Sequence, residues 1–356
     1  MKKKFDLKQI ILTGGITEAQ YQGLRKTIRK DNRILVRRFS LLAIISLLVL
    51  FIVSLFNNGL SDFKFVYLAF ACISIIVWFV SRFSNEDNGD VSLANMYLFE
   101  CVLLSLGVVL GTYLEPNEIS AAYIAFMLAV PQLFTDRPYR IIILVAFFTA
   151  FFILIAVNVK DPSTLTSDIT NAISFGVLSI ILATYSISTR MHRFHLEKEI
   201  SYMATNDVLT GLKNRRSYEN SIKRIDKENY DSAYCIYIDA DGLHELNNAK
   251  GHEEGDRMLK QISLYLTSQF GEDNVYRVGG DEFVVLGTNH EPETINNRVE
   301  SFMKAMGETS YHVSMGLSYI DNHNEPIGTI VKEAEKAMYE NKSAYYRSEG
   351  GNRRRR

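Results

Sequence analysis

The sequence predicts two parts: an all-α transmembrane bundle of about six helices, then an α/β domain of the α+β kind with helices packed on a mainly antiparallel sheet. Two observations lead there. The first half carries long apolar runs, whereas the second is polar with mixed charge and alternates helical and strand-like patterns. The chain of 356 residues has a net charge of −1, which leaves no general affinity for nucleic acid. Five stretches follow: a basic segment at 1–38, the apolar region at 39–189, a helical linker at 190–205, the second domain at 206–350 and a basic tail at 351–356.

In residues 1–38, Lys2, Lys3, Lys4, Lys8, Arg25, Lys26, Arg29, Lys30, Arg33, Arg37 and Arg38 outnumber Asp6, Glu18 and Asp31. No short apolar core with a small-residue cleavage site is present, so this is not read as a cleaved signal peptide. Thr17 is placed to cap a helix running to Arg38, with Gln20 completing a capping box. Basic residues just before an apolar helix stay in the cytoplasm and are drawn to anionic lipid.

The apolar runs are Leu41–Phe56, Phe65–Val80, Leu93–Leu114, Ile119–Phe134, Ile141–Val159 and Ile169–Ser188. Crossing a bilayer takes about 20 apolar residues, and the second and fourth runs are at the lower limit. Arg82, Arg137, Arg140, Arg190 and Arg193 follow the even-numbered runs, whereas Asn57, Asn58, Glu115, Glu118 and Asp161 follow the odd ones. The positive-inside tendency then puts both termini in the cytoplasm and requires an even number of spans, six or else four. Glu100 falls inside the third run, as a sensing or proton-linked group, a neutral carboxyl hydrogen-bonded between helices, or a residue nearer the interface. Pro131 is expected to kink or end the fourth helix.

Leu196, Ile200 and Met203 share one helical face of the linker, which would extend the last span. His192 and His195 lie three apart there and read as surface histidines rather than metal ligands. Cys72, Cys101 and Cys235 show no metal-ligand spacing and read as small buried hydrophobes.

From Asp207 onward the expected elements are a helix from Asn214 to Asp226, a buried strand at Ala233–Ile238, a helix at Glu254–Phe270, a hairpin, a helix at Pro292–Met306, a strand at Tyr311–Ile320 and a helix at Ile327–Tyr346. The hairpin joins Val275–Val278 to Phe283–Leu286 through Gly279, Gly280, Asp281 and Glu282, a glycine turn that lets a ligand approach and carries two adjacent acids. Alone, this is equally an acidic solvated hairpin.

Gly279-Gly280-Asp281-Glu282-Phe283 resembles the signature of the GGDEF family, the diguanylate cyclases. Asp207–Arg216, Asp239–Asp256, Ser314-Met315-Gly316 and Ala334–Lys342 resemble its other motifs, in order, across about residues 200–347. The resemblance implies a palm-like nucleotidyl-cyclase fold and the condensation of two GTP into cyclic di-GMP by a homodimer. It implies Mg2+ (or Mn2+) on Asp239, the Ala240 carbonyl and Asp281, with Asp281 and Glu282 as catalytic acids and Asp281 deprotonating the attacking hydroxyl. Asn247 and Asp256 align with the guanine-binding pair. Leu243, His244, Arg277, Gly279, Gly280 and Lys342 align with other substrate-binding positions, Lys342 with a phosphate contact. Gly251, His252 and Gly255 fit a tight connection whose amides approach phosphate.

Three departures stand out. Leu243-His244 replaces a common Phe-Lys, Asn248 a frequent Asp, and Tyr345-Tyr346 a common Gly-Arg. They bear on nucleotide affinity more than on chemistry. Phe270 stands where an arginine would complete an allosteric product site with Asp273, so no tight feedback inhibition is expected. A GTP-binding module that passes a membrane signal to a partner without cyclising is the alternative reading, favoured by His244 and Tyr346. A third and weaker one makes the membrane part, as transporter or receptor, the main function, with the second domain regulating it.

Overall fold

The computed structural model describes residues 6–57, 60–83, 89–114, 116–228, 230–321 and 326–349; Lys2, Lys3, Lys4, Asn58, Glu115 and the 351–356 tail lie outside them. The chain divides into two compact units, Met1–Lys198 and Glu199–Arg356.

The first unit is helical throughout: α1 Leu7–Thr13, α2 Glu18–Phe56, α3 Lys64–Phe83, α4 Gly89–Val109, α5 Ala121–Ala129, α6 Pro138–Val159 and α7 Pro162–Thr205. Thr17 and Gln20 form the capping box at the start of α2, as the spacing predicts, and the helix then runs on unbroken through the apolar run to Phe56. Helix α7 likewise carries the last apolar run and the linker as one rod of 44 residues.

Among the described residues, five helices are long and apolar enough to cross a membrane, and the fourth apolar run forms a sixth, shorter apolar helix. There α5 gives way to a tighter turn, Val130–Gln132, at Pro131, whose missing N–H cannot continue the α-helical ladder. The resulting Ala121–Gln132 helix is only about 18 Å long. It nevertheless connects two polar layers. At one layer the fully buried Lys160 and Asp168 pair at 3.0 Å, and Asp168 accepts from the Ser120 amide and hydroxyl. At the other, Asp136 accepts from the hydroxyls of Tyr21 (3.0 Å) and Tyr97 (2.7 Å) and from Arg140 (2.9 Å). Asn32 holds both the amide and the carbonyl of Thr135 beside it.

Glu100 is fully buried, and neither carboxyl oxygen has a hydrogen-bond partner among the described residues, so the reading of a carboxyl bonded between helices is not supported. Cys72 is exposed on α3, correcting its reading as a buried hydrophobe, whereas Cys235 is buried.

The second unit contains β1 Lys213–Asn214, α8 Arg215–Ile225, β2 Ala233–Asp241, α9 Leu243–Lys250, α10 His252–Phe270, β3 Val275–Arg277, β4 Glu282–Thr288, α11 Pro292–Gly307, β5 His312–Ile320 and α12 Ile327–Glu349. The sheet order is β1-β3-β4-β2-β5, with every pair antiparallel except β1 and β3. Strand β2 is central and buried along its whole length, which explains its continuous apolar run. Alternate residues of β2 serve two cores. Tyr234, Ile236, Ile238 and Ala240 pack with α10 and α11; Ala233, Cys235 and Tyr237 pack with α12. At Gly316 the sheet meets α12 so closely that a Cβ would lie 2.1 Å from the Ala334 carbonyl oxygen.

One expectation changes here. The stretch before α10 holds a separate helix, α9, because Gly251 turns the chain at φ 88° between them. In the hairpin, Arg277 faces Phe283, and the Val278 amide donates to the Glu282 carbonyl at 3.0 Å.

Candidate active site

Register assembles the site. Asp239, at the end of β2, is the cross-strand partner of Glu282 on β4 and of Ser314 on β5. The hairpin loop is drawn onto β2, since the Ala240 amide donates to the Asp281 carbonyl at 2.9 Å. Asp239, Asp281 and Glu282 are thereby brought together at one end of the sheet.

Lys342 comes over them from α12 and sits 2.7 Å from Asp239 Oδ1. Burial raises the Asp239 pKa and the Lys342 ammonium opposes this, while Asp281 and Asp241 raise it further; the net shift is upward. Glu282 is also raised, by burial first and then by Asp281. Its Oε2 lies 3.4 Å from the Tyr237 hydroxyl. Such crowding of like charge favours the protonated carboxyls or a cation nearby.

Arg277 does not face this cluster as a free phosphate-binding group. It donates to Asp207 Oδ1 at 2.8 Å and to the Gly280 carbonyl at 2.6 Å, so it fastens the loop. Gly280 has open space beside its Cα, whereas Gly279 packs against the Glu282 side chain.

Asn247 lies within α9 and Asp256 within the second turn of α10, not at the ends of a turn. The tight connection between the two helices is the single residue Gly251. His252 opens α10, and Gly255 belongs to that helix. Gly255 lets the two helices touch: a Cβ there would lie 2.1 Å from Asn247 Oδ1. That oxygen is buried without a hydrogen-bond partner among the described residues, as an acceptor kept for a ligand would be. Leu243 packs against the core, and His244 Nε2 lies 3.2 Å from Asn248 Nδ2. Phe270 is buried in the core, and Asp273 is exposed and paired with Lys213 at 2.8 Å.

Sequence reasoning missed Asp241 and His312. Asp241 Oδ2 accepts from His312 Nδ1 at 2.7 Å and from the Ser314 hydroxyl at 2.6 Å. Asp241 stands two places after Asp239, which on a strand means the same face, and that was the available signal.

Residues 204–347 match the family model described as diguanylate cyclase, GGDEF domain. This part of the chain is a GGDEF domain. The uncharacterized protein YhcK of Bacillus subtilis is 30% identical over 186 residues, 47% of this chain and 52% of the relative, so the chain spans about half of that protein's length. An uncharacterized membrane protein of Staphylococcus haemolyticus is 24% identical over 342 residues, 87% of this chain and 88% of its own. The probable diguanylate cyclase DgcE of Escherichia coli is 29% identical over 162 residues, 41% of this chain and 14% of that protein. Among solved structures, the coiled coil and GGDEF domain of DgcB from Caulobacter crescentus in complex with c-di-GMP has 20% identity and a TM-score of 0.42, covering 47% of this chain and 95% of that one.

Among the described residues, no three His, Cys, Asp or Glu side chains form a ready metal cage. The GGDEF domain offers a smaller set of hard oxygen donors, Asp239, Asp281 and the Ala240 carbonyl. One or two carboxylates completed by substrate phosphates is how magnesium is commonly held. The Lys342 ammonium on Asp239 marks where a positive charge is wanted. The residues fit such an ion.

Proposed function

We propose that this protein is a membrane-anchored diguanylate cyclase, condensing two GTP into cyclic di-GMP and two pyrophosphates. The observation that carries the reading is the pairing of Asp239 with Glu282, with the Asp281 carbonyl bonded to the Ala240 amide. It gathers three carboxyl groups on rigid backbone, as phosphoryl transfer requires.

Asn247 and Asp256 accept the N1 and N2 hydrogens of guanine. Lys342 moves from Asp239 to the phosphates. Asp281 takes the proton of the 3′-hydroxyl as it attacks the α-phosphorus, and pyrophosphate leaves. Asp239, the Ala240 carbonyl and Asp281 would hold magnesium or manganese, with Glu282 beside them. When bound, the ion neutralises charge on the phosphate oxygens.

Each domain holds one GTP, so the enzyme works as a homodimer. Leu196, Ile200 and Met203, all exposed along one face of α7, supply the seam. The helical region anchors the protein in the cell membrane and is the signal input. The loop charges at Arg82, Arg137, Arg140, Arg190 and Arg193 support cytoplasmic termini and a cytoplasmic catalytic domain. With Phe270 in the core, Asp273 lacks the partner for a tight product site.

The test is full-length protein in nanodiscs with GTP and magnesium, assayed by mass for cyclic di-GMP beside Asp281→Ala. Product from wild type alone supports the reading. Product from both refutes it. GTP binding without product favours the alternative, a non-cyclising module, to which His244 and Tyr346 point.

A further inference from the structure

Next to the three carboxyl groups lies an arrangement that the proposed reaction leaves unused. Strand pairing creates it. Strands β2 and β5 run antiparallel, with Asp239 opposite Ser314 and Asp241 opposite His312. All four residues occupy the sheet face that α12 covers. Asp241 is almost fully buried and accepts from His312 Nδ1 at 2.7 Å and from the Ser314 hydroxyl at 2.6 Å. The His312 ring stacks on Tyr345 of α12, with centroids 3.7 Å apart and planes 7° apart.

The imidazole is thus held by the strand ladder, by a carboxylate and by an aromatic ring. A histidine fixed this firmly at one nitrogen presents the other in a defined direction. Its side chain is 40% exposed, so Nε2 is within reach of a ligand. Three residues before Tyr345, on the same face of α12, stands Lys342, whose ammonium is drawn to Asp239 first and then to Asp241. Two groups able to carry positive charge therefore flank Asp241. The charged and titratable groups around them are Asp239 and Asp241 on β2, Asp281 on the hairpin loop, Glu245 on α9, and Lys342 and Tyr346 on α12.

We propose that His312 is a phosphate-contact residue, donating from Nε2–H to a non-bridging oxygen of the nucleotide's phosphate tail beside Lys342. The inference rests on the reading of this site as a GTP site. With Nδ1–H committed to Asp241, donation from Nε2 uses the doubly protonated ring. The contact supplies a positive charge on the edge where Tyr346 offers none.

The test uses full-length wild type and His312→Asn in nanodiscs. Asparagine keeps a donor for Asp241 and removes Nε2. Two readouts are taken: KM and kcat for GTP with magnesium, and the thermal stabilisation given by guanosine 5′-α,β-methylene-triphosphate, which cannot be cyclised. The expected result is a KM raised about tenfold with kcat within about twofold, and a weaker stabilisation by the analogue. An unchanged KM, or a fall in kcat alone, overturns the proposal while leaving the cyclase reading intact. A wild type that neither makes product nor responds to the analogue sinks the cyclase reading itself. If His312→Asn does not fold, His312→Gln carries the same test, because its KM must rise in the same way.

Discussion

Lys342 Nζ and Asp239 Oδ1 lie 2.7 Å apart, a charge pair between the last helix and the central strand. The lysine balances the charge of the carboxylate cluster, and on the proposed reading it passes to phosphate when substrate binds. Lys342→Met should therefore lower kcat/KM for GTP by roughly tenfold to a hundredfold, mostly through KM. Steady-state kinetics across GTP concentration checks this; a loss confined to kcat would contradict the phosphate role.

Asp207 accepts from Thr210 and from Arg277, and Arg277 in turn holds the Gly280 carbonyl. Burial alone would raise the Asp207 pKa, but the hydrogen bonds of Thr210 and Arg277 outweigh it and hold it below the ordinary aspartate range. Its folded pKa is depressed, so its contribution to stability is present above the unfolded pKa and is lost as pH falls through the folded one. Asp207→Asn should cost roughly 1 kcal/mol at neutral pH, allowing for its partial exposure. The difference from wild type should shrink below about pH 4. Thermal melts at several pH values measure both effects.

Gly255→Ala places a methyl group 2.1 Å from Asn247 Oδ1 if nothing moves. Helices α9 and α10 must separate or Asn247 must turn away. We expect nucleotide affinity to fall more than tenfold at a stability cost of about 1–3 kcal/mol. Titration of GTP against the purified variant, beside its melting curve, tells the two effects apart.

Ile200→Glu tests the seam on α7, where Ile200 is 64% exposed. A charge there should abolish product formation and leave nucleotide binding by each chain unchanged. Sedimentation alongside the activity assay checks it, and an active, monomeric variant would rule out a dimeric site.

How much of this was legible beforehand follows from which distances along the chain carried it. The acids at Asp239 and Asp281 could be read because a strand end and a glycine loop are local patterns. Central β2 could be read from its unbroken apolar run. The Asp241–His312 bond could not, because it depends on the β2–β5 register across about 70 residues of sequence. Helix α9 was missed because Gly251 allows either a loop or a break between two helices. The fourth apolar run was already at the lower limit of length for a span, and Pro131 marked where its helix stops short.

The close contact at Gly316 has a consequence well away from the loop that carries the signature. With no side chain between β5 and the backbone of α12, the helix rests on the sheet as a gauge block rests on a plate. The spacing it sets is the one that lets Lys342 meet Asp239 and Tyr345 meet His312. A larger residue at position 316 would lift the helix and open both gaps together. The calibre of the site is thus machined into a residue that touches neither substrate nor metal.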